Sequence, residues 1–239
     1  MKIGSITLSY NDEGTIGGTL RCLSKFVETR LVLISEKPYF GEAAEPDLTE
    51  DIALDEGAEV IKGTWALDHF QRNLGNKLLA HMDWILTFDS DEMMTEIDME
   101  KLIRTLEKSK ENAYLINPEV YWKDTKHRLR PKPSYSPVIA TRPHVRFTYI
   151  RNIDTPAPVI EGIEMHHLSW SDPKDIKKKV LAYAHATDFN GKKWYKERYE
   201  HWTPGDKVFL PDGEYSAIEY PLPEELNDHL SCNTNADKE

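Results

Sequence analysis

A chain of 239 residues and 27.6 kDa, 39% of them hydrophobic, is long enough to bury a substantial core. Its 41 acidic against 30 basic side chains give a formal charge of −11, which argues against a protein that coats nucleic acid over its whole surface. Two cysteines, Cys22 and Cys232, cannot form a disulfide framework, and neither an eighteen-residue apolar run nor a basic-then-apolar N-terminus is present, so a soluble protein in the reducing cytoplasm is expected, without a transmembrane segment.

The charge is unevenly spread. Residues 1–122 carry twelve Lys and Arg against twenty-three Asp and Glu, residues 123–198 sixteen against eight, and residues 199–239 two against ten. The middle third is a basic island in an acidic chain. No repeat of twenty to fifty residues occurs, and Ser231–Glu239 reads as a disordered tail.

Ile3–Ser9 reads as the opening strand, and Ile16, Leu20 and Leu23 recur at helical spacing, predicting a helix from about Gly14 to Lys25. Leu31–Ser35 is the next strand. The Pro- and Gly-bearing stretch Lys37–Pro46 leads to a helix over Leu48–Glu56, a short edge strand at Glu59–Ile61 and a helix over His69–His81. Trp84–Phe88 is an apolar run cut off by Asp89-Ser90-Asp91-Glu92, as expected of a buried central strand whose C-terminal end opens into a site. Asp98 is placed to cap a helix carrying Met99, Leu102, Ile103 and Leu106, after which Ala113–Ile116 returns as a strand. This alternation predicts an α/β fold on a largely parallel sheet. Seven of the fourteen prolines fall between Pro131 and Pro173, so that region is expected to be loop-rich. Asp172-Pro173 restarts a helix with Ile176, Val180, Tyr183 and Ala184 on one face and Lys174, Lys177, Lys178 and Lys179 elsewhere on the surface. The aromatic stretch His185–Trp202 is expected to pack a helix against the sheet, and the acidic segment with Pro211, Pro221 and Pro223 to wrap the domain irregularly.

Ligands of open α/β sheets lie beyond the carboxyl ends of the strands, which is where Asp89 and Asp91 fall. Magnesium and manganese take hard oxygen ligands and bridge phosphates, so a nucleoside diphosphate is the natural partner of such a carboxylate pair. The ion would invert the local sign of charge and let an acidic rim hold an anion.

Ser5–Ile16 (SITLSYNDEGTI), Gln71-Arg72-Asn73-Leu74-Gly75, Asp83–Glu92 (DWILTFDSDE) and His166–Ser171 (HHLSWS), in this order and spacing, resemble family 2 glycosyltransferases of the GT-A fold. The resemblance runs from residue 3 to about residue 202 and is closest to small, single-domain bacterial and phage-type members. It implies a Rossmann-like mixed central sheet flanked by helices and one catalytic domain over residues 1–230: residues 1–120 would bind the nucleotide sugar, and 121–230 would form a loop-rich acceptor half with a C-terminal extension. Ser9, Tyr10, Asn11 and Glu13 would line base and ribose, with Glu36 in the base-contacting acidic position. Glu36 departs from the usual Asp, and a longer insertion, Glu36–Thr49, replaces the usual stretch after it. Gln71, Arg72, Asp89 and Ser90 would complete the donor site, Arg72 neutralising the diphosphate or positioning the acidic residues. Asp89 would meet ribose and metal, and Asp91 would ligate Mn2+ or Mg2+. Of His166 and His167, which face opposite ways in an extended segment, His167 fits the family's late histidine and would be the second ligand.

The resemblance further implies inverting transfer from a UDP-sugar to a hydroxyl, with Asp91 and Arg72 serving the leaving group. Glu119 and Glu161 are the leading candidates for the base, with Glu164 and Asp154 behind them. Tyr121, Trp122, Tyr135, Phe147, Tyr149 and Trp170 interleave with Lys123, Lys126, Arg128, Arg130, Lys132, Arg142, Arg146 and Arg151. That pattern suggests an anionic acceptor such as a glycan, a lipid-linked saccharide or modified nucleic acid, unless the charges pair with the acidic half. A homodimer contact in the aromatic stretch is open. A nucleotidyltransferase, or a nucleotide-sugar-binding module without a base, are the alternatives.

Overall fold

In the computed structural model, which describes residues 1–182 and 190–231, the opening run Ile3–Ser9 forms β1, every residue of it buried. Tyr183, Ala184, His185, Cys232 and the tail beyond it lie outside the described residues. α1 (Ile16–Leu23) follows and buries the predicted Ile16, Leu20 and Leu23. β2 (Thr29–Ser35), α2 (Thr49–Asp55), β3 (Glu59–Gly63) and α3 (Asp68–Leu78) come next, then β4 (Trp84–Asp89). The strands β3-β2-β1-β4 lie side by side and parallel, the arrangement that strand-helix alternation predicts. Gly75 of α3 lets this helix press on β1: a Cβ there would stand 2.5 Å from Ile6 Cδ1.

β5 (Glu92–Met93) leaves the end of β4, and α4 (Glu96–Lys108) begins one turn later. Its cap is Thr95, whose Oγ1 accepts from the Asp98 amide at 3.2 Å while Asp98 Oδ2 accepts from the Thr95 hydroxyl at 3.0 Å. Asp98 is therefore the third helical residue of a capping box and not the cap itself. β6 (Ala113–Leu115) joins the first sheet through β9 (Val138–Thr141), which is antiparallel to both β4 and β6. The sheet is mixed, six strands in the order β3-β2-β1-β4-β9-β6.

The proline-bearing half carries more strand than its sequence suggests. β7 (Glu119–Trp122), β8 (His127–Arg130) and β12 (His166–Trp170) form a second six-stranded sheet with β5, β13 (Lys207–Leu210) and β14 (Gly213–Glu219). β10 (Phe147–Tyr149) and β11 (Asn152–Ile153) are a separate ribbon. The segment read as an irregular C-terminal wrap is the β13–β14 hairpin followed by α7 (Glu224–Ser231). α5 (Pro173–Ala182) starts at the predicted Pro, and α6 (Gly191–Trp194) runs into a π-helical turn over Tyr195–Tyr199. No helix among the described residues is long and apolar enough to cross a membrane.

The aromatic stretch packs on the second sheet and not on the first. Trp122 is fully buried, with Trp170, Trp194, Tyr199 and Trp202 ring centroids 4.8 to 6.5 Å away. Such aromatic pairs add to the large area they bury. Trp122→Ala is expected to cost about 3–5 kcal/mol in urea denaturation; a loss under about 1 kcal/mol would mean that the cluster does not hold this sheet.

Candidate active site at the end of the central strand

β1, β2 and β4 end together at Ser9, Ser35 and Asp89, and the chain order reverses between β1 and β4, which opens a crevice beyond the strands. Tyr10 and Asn11 follow β1. Asn11 adopts φ +54°, a left-handed conformation that Asn tolerates better than most residues. Tyr10, Asn11 and Glu36 line a cleft of about 140 Å³ with Ser35, Asp47, Thr49 and Lys62. The Glu36–Thr49 insertion is strapped across this loop. The Ala44 amide donates to Tyr10 Oη at 2.9 Å, Asn11 Nδ2 donates to the Glu45 carbonyl at 2.9 Å, and the Leu48 amide donates to Glu13 Oε2 at 3.0 Å.

Ser9, Ser90 and Gln71 do not face the cleft as donor ligands would. Both serine hydroxyls donate to Asp12 Oδ2, at 2.8 and 2.5 Å. Burial pushes the Asp12 carboxyl up to about 6 against the opposing Ser90 hydrogen bond. Gln71 is buried, donating to the Leu33 carbonyl at 2.6 Å and accepting from Tyr39 Oη at 2.6 Å.

The two carboxylates of the Asp-Ser-Asp turn differ in their partners. Asp89 takes Arg72 Nη2 at 2.6 Å and Arg151 Nη1 at 3.2 Å. Burial opposes its ionisation, and the two guanidiniums still hold its carboxyl below the usual range. Arg151 also reaches Glu92 Oε1 at 2.5 Å, and Glu92 Oε2 accepts the Asp89 amide at 2.9 Å. Arg72 also lies 3.7 Å from Asp68 Oδ2 on its own helix. Asp91 meets Lys179 Nζ at 2.5 Å and His167 Nε2 at 3.4 Å; these cations outweigh burial and hold its carboxyl far below the usual range.

The pairing of β12 with β5 places the histidines. His166 stands opposite Met93 and His167 opposite Glu92, and the Leu168 amide donates to the Asp91 carbonyl at 2.8 Å. His167 faces Asp91, and its Nδ1 lies 2.9 Å from Tyr135 Oη. His166 points the other way and is buried, Nδ1 3.0 Å from Tyr121 Oη.

No group of three or more His, Cys, Asp or Glu side chains is arranged to hold a metal ion by itself among the described residues. A carboxylate and an imidazole whose other nitrogen is held by a phenol nonetheless fit a divalent ion that takes its remaining ligands from phosphate and water. Asp89 has both oxygens engaged by closely packed arginines, whereas Asp91 faces a lysine and an imidazole, so Asp91 and His167 are the pair that would hold it.

Neither expected base belongs to this cluster. Glu119, 1% exposed, faces Arg128 at 3.5 Å and Arg130 at 2.8 Å as well as Lys132, and these cations hold its carboxyl down despite burial. With them it forms a buried ion cluster away from the Asp-Ser-Asp turn. Glu161 is exposed in a loop, Glu164 lies 3.4 Å from Arg128, and Asp154 accepts the Arg146 amide at 3.1 Å.

Part of the basic island is turned inward, while Lys126, Lys132, Arg146, Lys177, Lys192, Lys193, Lys196 and Arg198 are exposed. Arg128 is 1% exposed, Arg151 and Arg130 pair with acids, Lys123 sits over the Tyr199 ring, and Arg142 lies 4.0 Å over the Trp84 ring. Tyr121, Trp122 and Phe147 are fully buried. This leaves Lys126 and Arg146 of the eight cations, and Tyr135 and Tyr149 of the six aromatics, most open to an acceptor.

Asp12 lies in the Ser9–Glu13 loop expected to line the nucleotide, and Arg151 among the cations expected on the acceptor side, but neither was expected to meet the Asp-Ser-Asp turn. Glu92 and Lys179 were not among the expected site residues; Glu92 closes the Asp83–Glu92 motif, which was the available signal, and Lys179 had none beyond lying in the basic island.

No protein family's sequence profile matches the chain, and no curated protein does. Among solved structures, it superposes on residues 1–349 of TarS from S. aureus with TM-score 0.49 at 15% identity, covering 74% of this chain and 63% of that one. The same TarS fragment in complex with UDP gives TM-score 0.49 at 14% identity over 82% of this chain and 74% of that one, and a mycobacterial protein gives 0.49 at 13% over 92% and 84%. The chain spans less than two thirds of the TarS fragment as first matched. At this identity and superposition the likeness does not establish a shared family, and the chemistry of the site stands on its own residues.

Burial pushes the His166 imidazole down to about 4, with Arg128 adding to the effect. The folded state therefore disfavours the proton that the unfolded chain accepts near pH 6.5, so stability present above that pH is lost as pH falls toward 4, on the order of 3 kcal/mol. Urea midpoints at pH 7 and pH 4.5 should fall together less steeply in His166→Gln; equal slopes would mean that this histidine is not buried neutral.

Proposed function

We propose that the chain is a glycosyltransferase that moves a sugar from a nucleoside diphosphate sugar, a UDP-sugar first, to a hydroxyl acceptor with inversion, using Mn2+ or Mg2+. The observation that carries this reading is the carboxylate pair Asp89–Asp91 at the carboxyl end of the central parallel strand, beside the cleft lined by Tyr10, Asn11 and Glu36. Tyr10 offers a ring face for a base, and Glu36 an acceptor for a base or ribose donor. Asp89, clamped by Arg72 and Arg151, would offer a fixed carboxylate to the ribose. Asp91 and His167 would hold the divalent ion, which when bound supplies positive charge to the leaving diphosphate. Lys179, on its four-carbon stem, is the nearest mobile cation for phosphate oxygens.

Calorimetric titration with UDP, with GDP and CMP as controls, tests the donor site. Manganese-dependent UDP binding, weakened about tenfold or more by Asp91→Ala, is expected. Binding of no nucleotide, or binding indifferent to both metal and Asp91, would sink the reading. Release of free sugar and UDP from a UDP-sugar, with no pyrophosphate formed, separates sugar transfer from nucleotidyl transfer.

A further inference from the structure

Among the residues around the Asp-Ser-Asp turn, Lys179 has the contact least expected from sequence. Ile176 and Val180 of α5 are buried against the second sheet, and this turns Lys179, between them on the helix, toward Asp91. Its ammonium lies 2.5 Å from Asp91 Oδ2, while His167 Nε2 is 3.4 Å from Oδ1. Both carboxylate oxygens that would meet a divalent ion are therefore already facing cationic or hydrogen-bonding groups of the protein.

The arginines at Asp89 are more deeply packed. The side chains of Arg72 and Arg151 are 3% and 9% exposed, whereas that of Lys179 is 30% exposed. A flexible ammonium at a partly open site can leave its carboxylate; a packed guanidinium cannot do so without opening the core.

We infer that Lys179 is a resident counter-ion that occupies Asp91 in the donor-free protein, keeps a divalent ion from binding there alone, and moves aside only when diphosphate and metal arrive together. The inference rests on the donor-site reading above and adds an order of events to it. An ammonium within a few ångströms of the metal position repels a divalent cation, and the repulsion ends once the diphosphate offers Lys179 an alternative anion. Metal and nucleotide then bind with strong mutual dependence, because each pays part of the cost of displacing the ion pair.

Electron paramagnetic resonance of free Mn2+, titrated against protein without nucleotide, reads this directly. The native protein should bind manganese alone weakly. Lys179→Met and Lys179→Gln should bind it at least about tenfold more tightly, Lys179→Arg should behave like the native protein, and Asp91→Ala should abolish the gain. Adding UDP should tighten manganese binding far more in the native protein than in Lys179→Met. Nucleotide-free manganese affinities equal within about twofold in native protein and both neutral variants, each folded by circular dichroism, would overturn the counter-ion role. Failure of the donor reading appears separately, as no UDP binding by any of these proteins with or without manganese, and it leaves the nucleotide-free comparison to judge Lys179 by itself.

Discussion

Four carboxylates crowd the end of β4, and the need to neutralise them away from bulk water organises what surrounds them. Asp89, Asp91 and Glu92 follow one another within four residues, and Asp12 reaches in from the β1–α1 loop to the hydroxyl of Ser90. Moving a carboxylate out of water costs several kcal/mol unless a cation or a set of donors replaces the solvent. Here the replacements come from far along the chain. Arg72 comes from α3, Arg151 from just after the β10 strand, and Lys179 from α5. Asp12, whose carboxylate accepts from two hydroxyls and an amide, has its carboxyl pushed up by burial.

That demand also ties the halves of the molecule together. β5 begins at Glu92, so the Asp-Ser-Asp turn is the junction at which the first sheet passes into the second. Arg151 clasps the two sides of the junction, bonding Asp89 and Glu92 and donating to the Thr87 carbonyl at 2.5 Å. The basic island of the sequence therefore serves in good part as internal counter-charge for an acidic first half. Its positive charge, counted along the chain, suggests a surface for polyanions; counted in space, Arg128, Arg130, Lys132, Arg151 and Lys179 are already paired with carboxylates.

How much of this was legible depended on whether the information was local. The β1 to β4 strands, α1 to α3 and the site at the end of β4 follow from periodicities of two and 3.6 and from a strand that stops at an acid. The capping box at Thr95 was one residue class away from being read correctly, since both Thr and Asp cap helices and only the amide geometry decides between them. The second sheet left little trace, because β5, β7, β8 and β12 run only two to five residues and pair with strands distant in sequence. Glu119 looked like a base since nothing local shows that Arg128, Arg130 and Lys132 close around it. Lys179, one of four lysines on one helix, could not be told from its neighbours until Ile176 and Val180 fixed which way the helix turns.

The same geometry explains why two aspartates in one turn need not share one task. Asp89 is held by two guanidiniums with little exposure, one of them bonded in turn to Glu92 and to backbone, so its orientation is set by the fold itself. Asp91 is held by an ammonium on a flexible stem and by an imidazole whose ring is steadied by Tyr135. An incoming dianion adds negative charge to a cluster that already contains four carboxylates, and the cluster can accept it only by gaining a cation or redirecting one. On the donor-site reading proposed above, the asymmetry of the partners would place that exchange at Asp91, held by an ammonium on a flexible stem, and not at Asp89, held by packed guanidiniums.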